Sequence, residues 1–250
     1  MQTDQATTEL PPSALLGGTS VRIVSLVPSV TETLSAWDRT PVACTRFCER
    51  PDLRHVGGTK DPKIDLIADL KPDLVVVDAE ENRREDYEAL LERGIAVHVL
   101  HVCSLLDVNP SMTELADRVG AKWNQLEPMV DTAPRARALI PIWRKPWIAL
   151  GAPTYGASLL SHLGIGNACS GKGQYPELEF DDAIALGADL VIAPSEPYPF
   201  SRRQLSELSQ IAPTVFVDGR DLFWWGVRSG PAIARLAVVL REIGRPMQEQ

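Results

Sequence analysis

The two halves of this chain repeat each other, and that limits the folds open to it more than any other feature. Residues 23–34 read IVSLVPSVTETL and residues 148–160 read IALGAPTYGASLL. Each is an apolar run, then Pro followed by Ser or Thr, then a helical pattern. Ala43-Cys44 and Ala168-Cys169 recur at the offset that separates Pro28 from Pro153. Further on, IDLIADLKPDLVVV (64–77) matches FDDAIALGADLVIA (180–193), which sets Asp65 against Asp181 and Asp73 against Asp189. Ile95-Ala96 and Ile211-Ala212 keep that second offset. One indel aligns most of both halves, as expected for two similar lobes joined once. Strands read at 21–27, 40–44, 74–77, 96–100, 147–150, 190–193 and 214–217 alternate with helices at 29–37, 62–70, 85–93, 154–163, 180–186, 204–209 and 230–243. That alternation predicts an α/β protein with a parallel sheet in each lobe.

The joining stretch, residues 109–141, reads as a helical spine. Asn109-Pro110 is a helix-start signal, an Asn cap followed by Pro. Met112, Leu115, Val119, Trp123, Leu126, Val130 and Ala133 follow at spacings of three and four, one apolar face. Gly120, Pro128 and Pro134 interrupt it, so two or three helical pieces are expected. The resulting division is a flexible N-terminal tail (1–20), an N-terminal lobe (21–108), the spine (109–141) and a C-terminal lobe (142–250).

Charge and composition narrow the partners. With 25 Lys and Arg against 33 Asp and Glu, the net charge is −8. Nucleic acid is disfavoured, because phosphate binding needs a basic face. No apolar run is long enough to insert in a membrane. The first residues, MQTDQATTELPPSALLGGTS, carry no basic n-region and no apolar h-region. The expectation is therefore a cytoplasmic chain, or an extracytoplasmic one if the sequence is a trimmed mature form. Cys44, Cys48, Cys103 and Cys169 show no CxxC spacing and read as buried free thiols.

Motifs for chemistry are weak. GNACSGKG (166–173) approaches a phosphate loop, but Gly173 stands where a magnesium-binding Ser or Thr is needed. No carboxylate or thiol sits at a metal-ligand spacing with three of the histidines His55, His98, His101 and His162, so no direct zinc or manganese site is expected. Glu80-Glu81 and Asp181-Asp182 read as solvated carboxylates. No nucleophile motif is present, and no catalytic residue is assigned. The aromatics say more. Phe47, Tyr155, Tyr175, Tyr198, Phe200, Phe223, Trp224 and Trp225 fall in strand-to-helix loops or at helix starts, which gather at the carboxyl edge of a parallel sheet where ligands bind. In two facing lobes they would line an apolar cleft, with Arg46, Arg83, Arg202 and Arg228 as polar anchors. One of Trp224 and Trp225 is expected to plug the lobe core instead.

Four stretches, RIVSLVPSVTETL, HVGGTKDPKIDLIADLKPDLVVV, DAEEN and GVRSGPAIARLAVVL, resemble the helical-backbone metal-receptor family, the binding proteins for cobalamin and ferric siderophores. The likeness runs from about residue 22 to residue 243. It implies two Rossmann-like lobes with parallel sheets joined by a helical spine, a ligand cleft between the lobes, and capture of an intact metal chelate for an ABC importer. It places Phe47, Tyr175 and Trp224 around a corrin, and Asp65 and Asp181 where relatives dock a permease. Thr59 and Asp78 stand at cleft positions that are tryptophan in some relatives. Together with the loop aromatics and arginines read above, the expected binding set is Phe47, Arg46, Thr59, Asp78, Tyr155, Tyr175, Tyr198, Trp224 and Arg228. No cofactor of its own is expected; the resemblance implies a corrinoid or iron chelate as ligand and an ABC permease as partner, and a monomer is expected. Other readings are a cytoplasmic carrier or sensor on the same fold, or an enzyme that recruited the cleft through Glu80, Glu81 or His55.

Overall fold

The computed structural model describes residues 21–127 and 133–241. The expected N-terminal tail, Pro128 and Val130 of the spine, and the last positions of the terminal helix lie outside the described residues. The first lobe runs β1 (Ile23–Ser25), α1 (Pro28–Ala36), β2 (Ala43–Cys44), β3 (Arg54–His55), α2 (Ile64–Asp69), β4 (Leu74–Asp78), α3 (Arg84–Glu92) and β5 (Val97–Leu100). Its five strands are all parallel, in the order β3-β2-β1-β4-β5. β4 is an unbroken apolar run up to Asp78, and all five of its residues are buried. That is what a central parallel strand covered on both faces requires.

One helix, α4 (Val108–Val119), leads out of this lobe. Val108, Met112, Leu115, Ala116 and Val119 are buried along one face. Gly120 ends it in the left-handed conformation, at φ 64°, where a residue without Cβ is favoured. The rest of the expected spine differs. Residues 121–127 are not helical, and Asn109 does not cap the helix. Its side chain lies in the first turn and binds the returning chain instead. Asn109 Oδ1 accepts from Trp123 Nε1 (3.0 Å) and from Leu126 N (2.8 Å), and its Nδ2 donates to Leu126 O (3.1 Å). The apolar periodicity past Gly120 reflects this packing along α4, where Trp123 meets Trp37 edge to face, rather than further helix.

The second lobe contains β6 (Ala136–Leu139), β7 (Pro141–Trp143), β8 (Trp147–Ala149), α5 (Tyr155–His162), β9 (Ile165–Asn167), β10 (Glu177–Leu178), α6 (Phe180–Ala185), β11 (Leu190–Pro194), α7 (Leu205–Leu208), β12 (Thr214–Val217), α8 (Gly219–Phe223) and α9 (Ser229–Val239). Four parallel strands order as β12-β11-β6-β9, and β10-β8-β7 form a separate antiparallel sheet. β4 and β11 lie in different sheets, as two lobes demand.

The duplication is visible in hydrogen bonds. Arg22 N donates to Asp73 Oδ2 (2.8 Å) while Asp73 N donates to Arg22 O (2.8 Å). Arg137 N donates to Asp189 Oδ2 (2.7 Å) while Asp189 N donates to Arg137 O (2.8 Å). The counterpart of β1 is therefore β6, and the strand at 147–150, expected to open the second half, is one arm of a hairpin inserted between β6 and α5. β6 also brings the second lobe's sheet forward into the stretch assigned to the spine, so the boundary at 142 falls too late.

A single apolar cluster joins the lobes. It takes Ile23, Leu74 and Val76 from the first, Met112, Leu115 and Val119 from α4, and Ala138, Leu159, Ile192 and Trp225 from the second. Leu115 is fully buried in it. Leu115→Ala is expected to destabilise the protein by roughly 2–5 kcal/mol, with tryptophan fluorescence and far-ultraviolet circular dichroism following one cooperative transition in denaturant. Two separated transitions in the wild type would contradict a shared core.

Candidate functional site

In each lobe the loops after parallel strands leave at the carboxyl edge, and polar contacts bind the two edges together. Arg228, in the turn before α9, donates to both oxygens of Glu32 on α1, at 2.9 and 2.5 Å, and to Asp221 at 3.2 Å. Arg220 Nη1 donates to Glu49 Oε2 across the lobes at 2.5 Å and is paired with Asp218 in its own. Val227 N donates to Thr33 Oγ1 (3.2 Å). At Gly226, φ is 97° and a Cβ would collide with that same hydroxyl, so only glycine allows this approach. Gln174 Nε2 and Tyr175 OH donate to the two oxygens of Glu80, at 2.8 and 2.9 Å.

The expected binding residues divide in two. Phe47 (53% exposed) and Tyr175 (49%) stand on loops of opposite lobes; Tyr175 reaches the seam through Glu80, and Phe47 lies two residues before Glu49. Arg46 lies 4.8 Å above the Phe47 ring and forms a two-pronged pair with Asp61 at 2.9 Å. Trp224 is half-buried; its indole donates to Glu196, and Arg228 stacks 5.5 Å from it. Trp225 is the tryptophan that plugs the core. The DLFWWG stretch is not wholly loop, since α8 runs through Phe223.

Tyr155 is a correction. It is 5% exposed, belongs to the shared core, and its hydroxyl is 2.9 Å from Ser229 Oγ. Thr154 caps α5, and as the first residue of that helix Tyr155 turns inward. Tyr198 packs between Trp143 and Phe200 in the second lobe's aromatic cluster, at ring distances of 5.8 and 4.7 Å. Arg228 is spent on Glu32 and Asp221 rather than free to anchor a ligand. Asp78 is 4% exposed and serves as a turn cap: its Oδ1 accepts from Glu80 N (2.9 Å) and Glu81 N (3.2 Å), which sets the direction of both glutamates. Thr59 is half-buried, and its carbonyl accepts from Asn82 Nδ2 at 2.9 Å. Asp65 and Asp181 each sit in the first turn of a matching helix, α2 and α6, and both are exposed; Arg93 pairs with Asp65 at 2.6 Å.

The seam is acidic. Burial first, then the nearby Asp78 carboxylate, pushes the Glu81 carboxyl up to about 8. Burial also raises Asp78 and Glu196. Behind Phe47, Cys48 Sγ lies 3.1 Å from Thr31 Oγ1 and 3.3 Å from Thr45 Oγ1. Hydrogen bonding, first from Cys44 and then from those hydroxyls, draws its thiol below the ordinary cysteine range. Cys44, Cys48 and Cys169 are buried free thiols as expected, but Cys103 is not: it is half-buried, with Glu80 and His101 around it. Glu80, His101 and Cys103 place one carboxylate, imidazole or thiol atom each within 4.8 Å of one another, a grouping that the sequence reading did not single out. These residues stand on the loops that follow two neighbouring strands, β4 and β5, which a search along one stretch of sequence does not see.

The Glu81 shift carries a pH dependence. The folded state keeps this proton between the ordinary glutamate range, about 4.3, and about 8, while the unfolded chain has lost it. Stability from this group is complete below that window and falls as pH rises through it, by at most about 1.4 kcal/mol per pH unit. Glu81→Gln should flatten the decline in thermal midpoint between pH 5 and 8. An unchanged slope would mean that Glu81 is ionised in the folded protein.

Residues 23–122 match the sequence profile of a family described as periplasmic binding protein. No curated protein matches the chain by sequence. Among solved structures, the periplasmic vitamin B12 binding protein BtuF of Vibrio cholerae is 18% identical with a TM-score of 0.72, over 88% of this chain and 96% of that one. The periplasmic heme-binding protein RhuT from Roseiflexus sp. RS-1 is 17% identical with a TM-score of 0.72, over 91% and 100%. A periplasmic heme binding protein from Pseudomonas aeruginosa is 17% identical with a TM-score of 0.73, over 91% and 95%. This chain has the bilobal fold of the periplasmic binding proteins.

Proposed function

We propose that this protein captures a flat, uncharged or cationic metal chelate of the corrinoid class between its lobes and delivers it to an ABC importer. The observation that carries the reading is the pair of exposed rings, Phe47 and Tyr175, on loops that follow parallel strands in opposite lobes, with Trp224 half-buried in the segment after β12. Ring faces of this kind suit a planar macrocycle. The vitamin B12 and heme proteins that share the fold are the source of the ligand class.

Electrostatics favour the corrinoid over the porphyrin. A heme brings two propionates, which need free guanidinium or ammonium groups. Here Arg46 is paired with Asp61, Arg220 with Glu49 and Asp218, and Arg228 with Glu32 and Asp221. Glu80 adds a carboxylate on the same seam. A corrin, whose periphery is amide rather than carboxylate, meets no such repulsion. Ferric siderophores with net negative charge are disfavoured on the same ground.

Asp65 and Asp181 would dock the permease in this reading. They are exposed and lie in the first turns of matching helices on the two lobes. Exposed acids in such a pair set the rate and salt dependence of association more than its depth.

Tryptophan fluorescence titration with cobinamide, cyanocobalamin and hemin tests the proposal. Cobinamide or cyanocobalamin should quench and should bind more tightly than hemin. Phe47→Ala and Trp224→Ala should each weaken binding about tenfold or more. The double variant Asp65→Ala, Asp181→Ala should bind the chelate like wild type and lose affinity for the cognate permease. Tighter binding of hemin, or wild-type affinity in both aromatic variants, would overturn the corrinoid assignment.

A further inference from the structure

Two loops leave neighbouring strands at the mouth of the cleft. β4 and β5 run parallel with Asp78 registered against Leu100, so residues 79–83 and 101–104 emerge side by side. Glu80, His101 and Cys103 meet there, with one ligand atom from each lying within 4.8 Å of the others. Cys103 Sγ is 2.8 Å from His101 Nε2 and 3.1 Å from Glu80 Oε1.

The cluster is held from behind. Glu80 N donates to the buried carboxylate of Asp78 (2.9 Å), and Lys60 Nζ donates to Glu80 O (2.6 Å). Cys103 N donates to Asp107 Oδ2 (3.1 Å), which also accepts from Ser104 Oγ (2.8 Å). Both loops are thus positioned by hydrogen bonds that do not use the cluster's own ligand atoms. His101 is exposed, and Glu80 and Cys103 are partly so, which leaves a path from solvent.

We propose that Glu80, His101 and Cys103 bind one borderline-soft divalent cation of the zinc class. The donor set decides the class: thiolate sulfur, imidazole nitrogen and carboxylate oxygen together suit zinc, whereas magnesium and calcium take oxygen donors. Zinc bonds of these kinds put tetrahedral ligands roughly 3.3–3.8 Å apart. The Sγ–Nε2 and Sγ–Oε1 separations need only open by under about 1 Å to reach that range, which side-chain rotation supplies. As the sulfur–metal bond forms, the thiol proton leaves to solvent. Three protein ligands leave a fourth position for water, as in open zinc sites.

The site shares Glu80 with the bridge made by Gln174 and Tyr175, so the cation would sit on the seam between the lobes. The proposal does not depend on the identity of the chelate, and it needs none to be bound.

Cobalt(II) chloride added to the metal-stripped full chain provides the test. One equivalent should produce a near-ultraviolet thiolate-to-cobalt charge-transfer absorption, which zinc chloride then abolishes. Cys103→Ser should lose the absorption, and both Cys103→Ser and His101→Ala should bind zinc at least tenfold more weakly against a chromophoric chelator. Circular dichroism reports whether each variant is folded; if Cys103→Ser is not, His101→Ala decides. No charge-transfer absorption in the wild type, or an unchanged one in Cys103→Ser, would overturn the site. Cobinamide titration of the same metal-stripped protein separates failure here from failure of the chelate reading.

Discussion

The buried face of α4 is the constraint on which the rest depends. Met112, Leu115 and Val119 belong to one apolar cluster with residues of both parallel sheets. Two lobes with independent cores and a solvated linker could swing widely. Two lobes that share a core cannot separate without exposing it, and exposing apolar surface costs about 25 cal/mol per Å2. The segment that follows α4 reinforces this, because Asn109 ties Trp123 and Leu126 back onto the helix. The spacing of the two carboxyl edges is therefore set mainly by packing, and the proposed ligand site would inherit it.

Polar contacts then tune the edges that packing has placed. Arg228 with Glu32, Arg220 with Glu49, and Gln174 and Tyr175 with Glu80 all cross between lobes. They pair Arg220 and Arg228 with carboxylates, while Phe47 and Tyr175 keep open rings. The same carboxylate, Glu80, serves the seam and the His101–Cys103 cluster. Chelate capture and cation binding would thus act on one surface through different residues.

Much of this was legible in the residues. The repeated motifs around Asp73 and Asp189 announced two lobes, and the same two aspartates make matching backbone hydrogen bonds. The unbroken apolar runs of β4 and β11 marked central parallel strands. What escaped was whatever depends on contacts far apart in sequence. The hairpin of β7 and β8 precedes Pro153 just as β1 precedes Pro28, so the repeat pointed to β8 when the structural counterpart is β6. Trp123 and Leu126 keep a helical spacing because they cover α4, which a one-dimensional pattern cannot tell from helix. Tyr155 sits at a helix start like the cleft aromatics, yet that first turn faces the core. Glu80 and Cys103 are far apart along the chain and adjacent only because β4 pairs with β5.

Hydrogen exchange with and without cobinamide tests most directly the claim that a flat ligand is held between edges fixed by a shared core. Protection is predicted in the loops around residues 45–50, 79–83, 174–175 and 218–228. Residues 108–119 should exchange at the same rate in both states, since α4 is packed before the ligand arrives. Protection spread through α4, or confined to one lobe, would contradict the account.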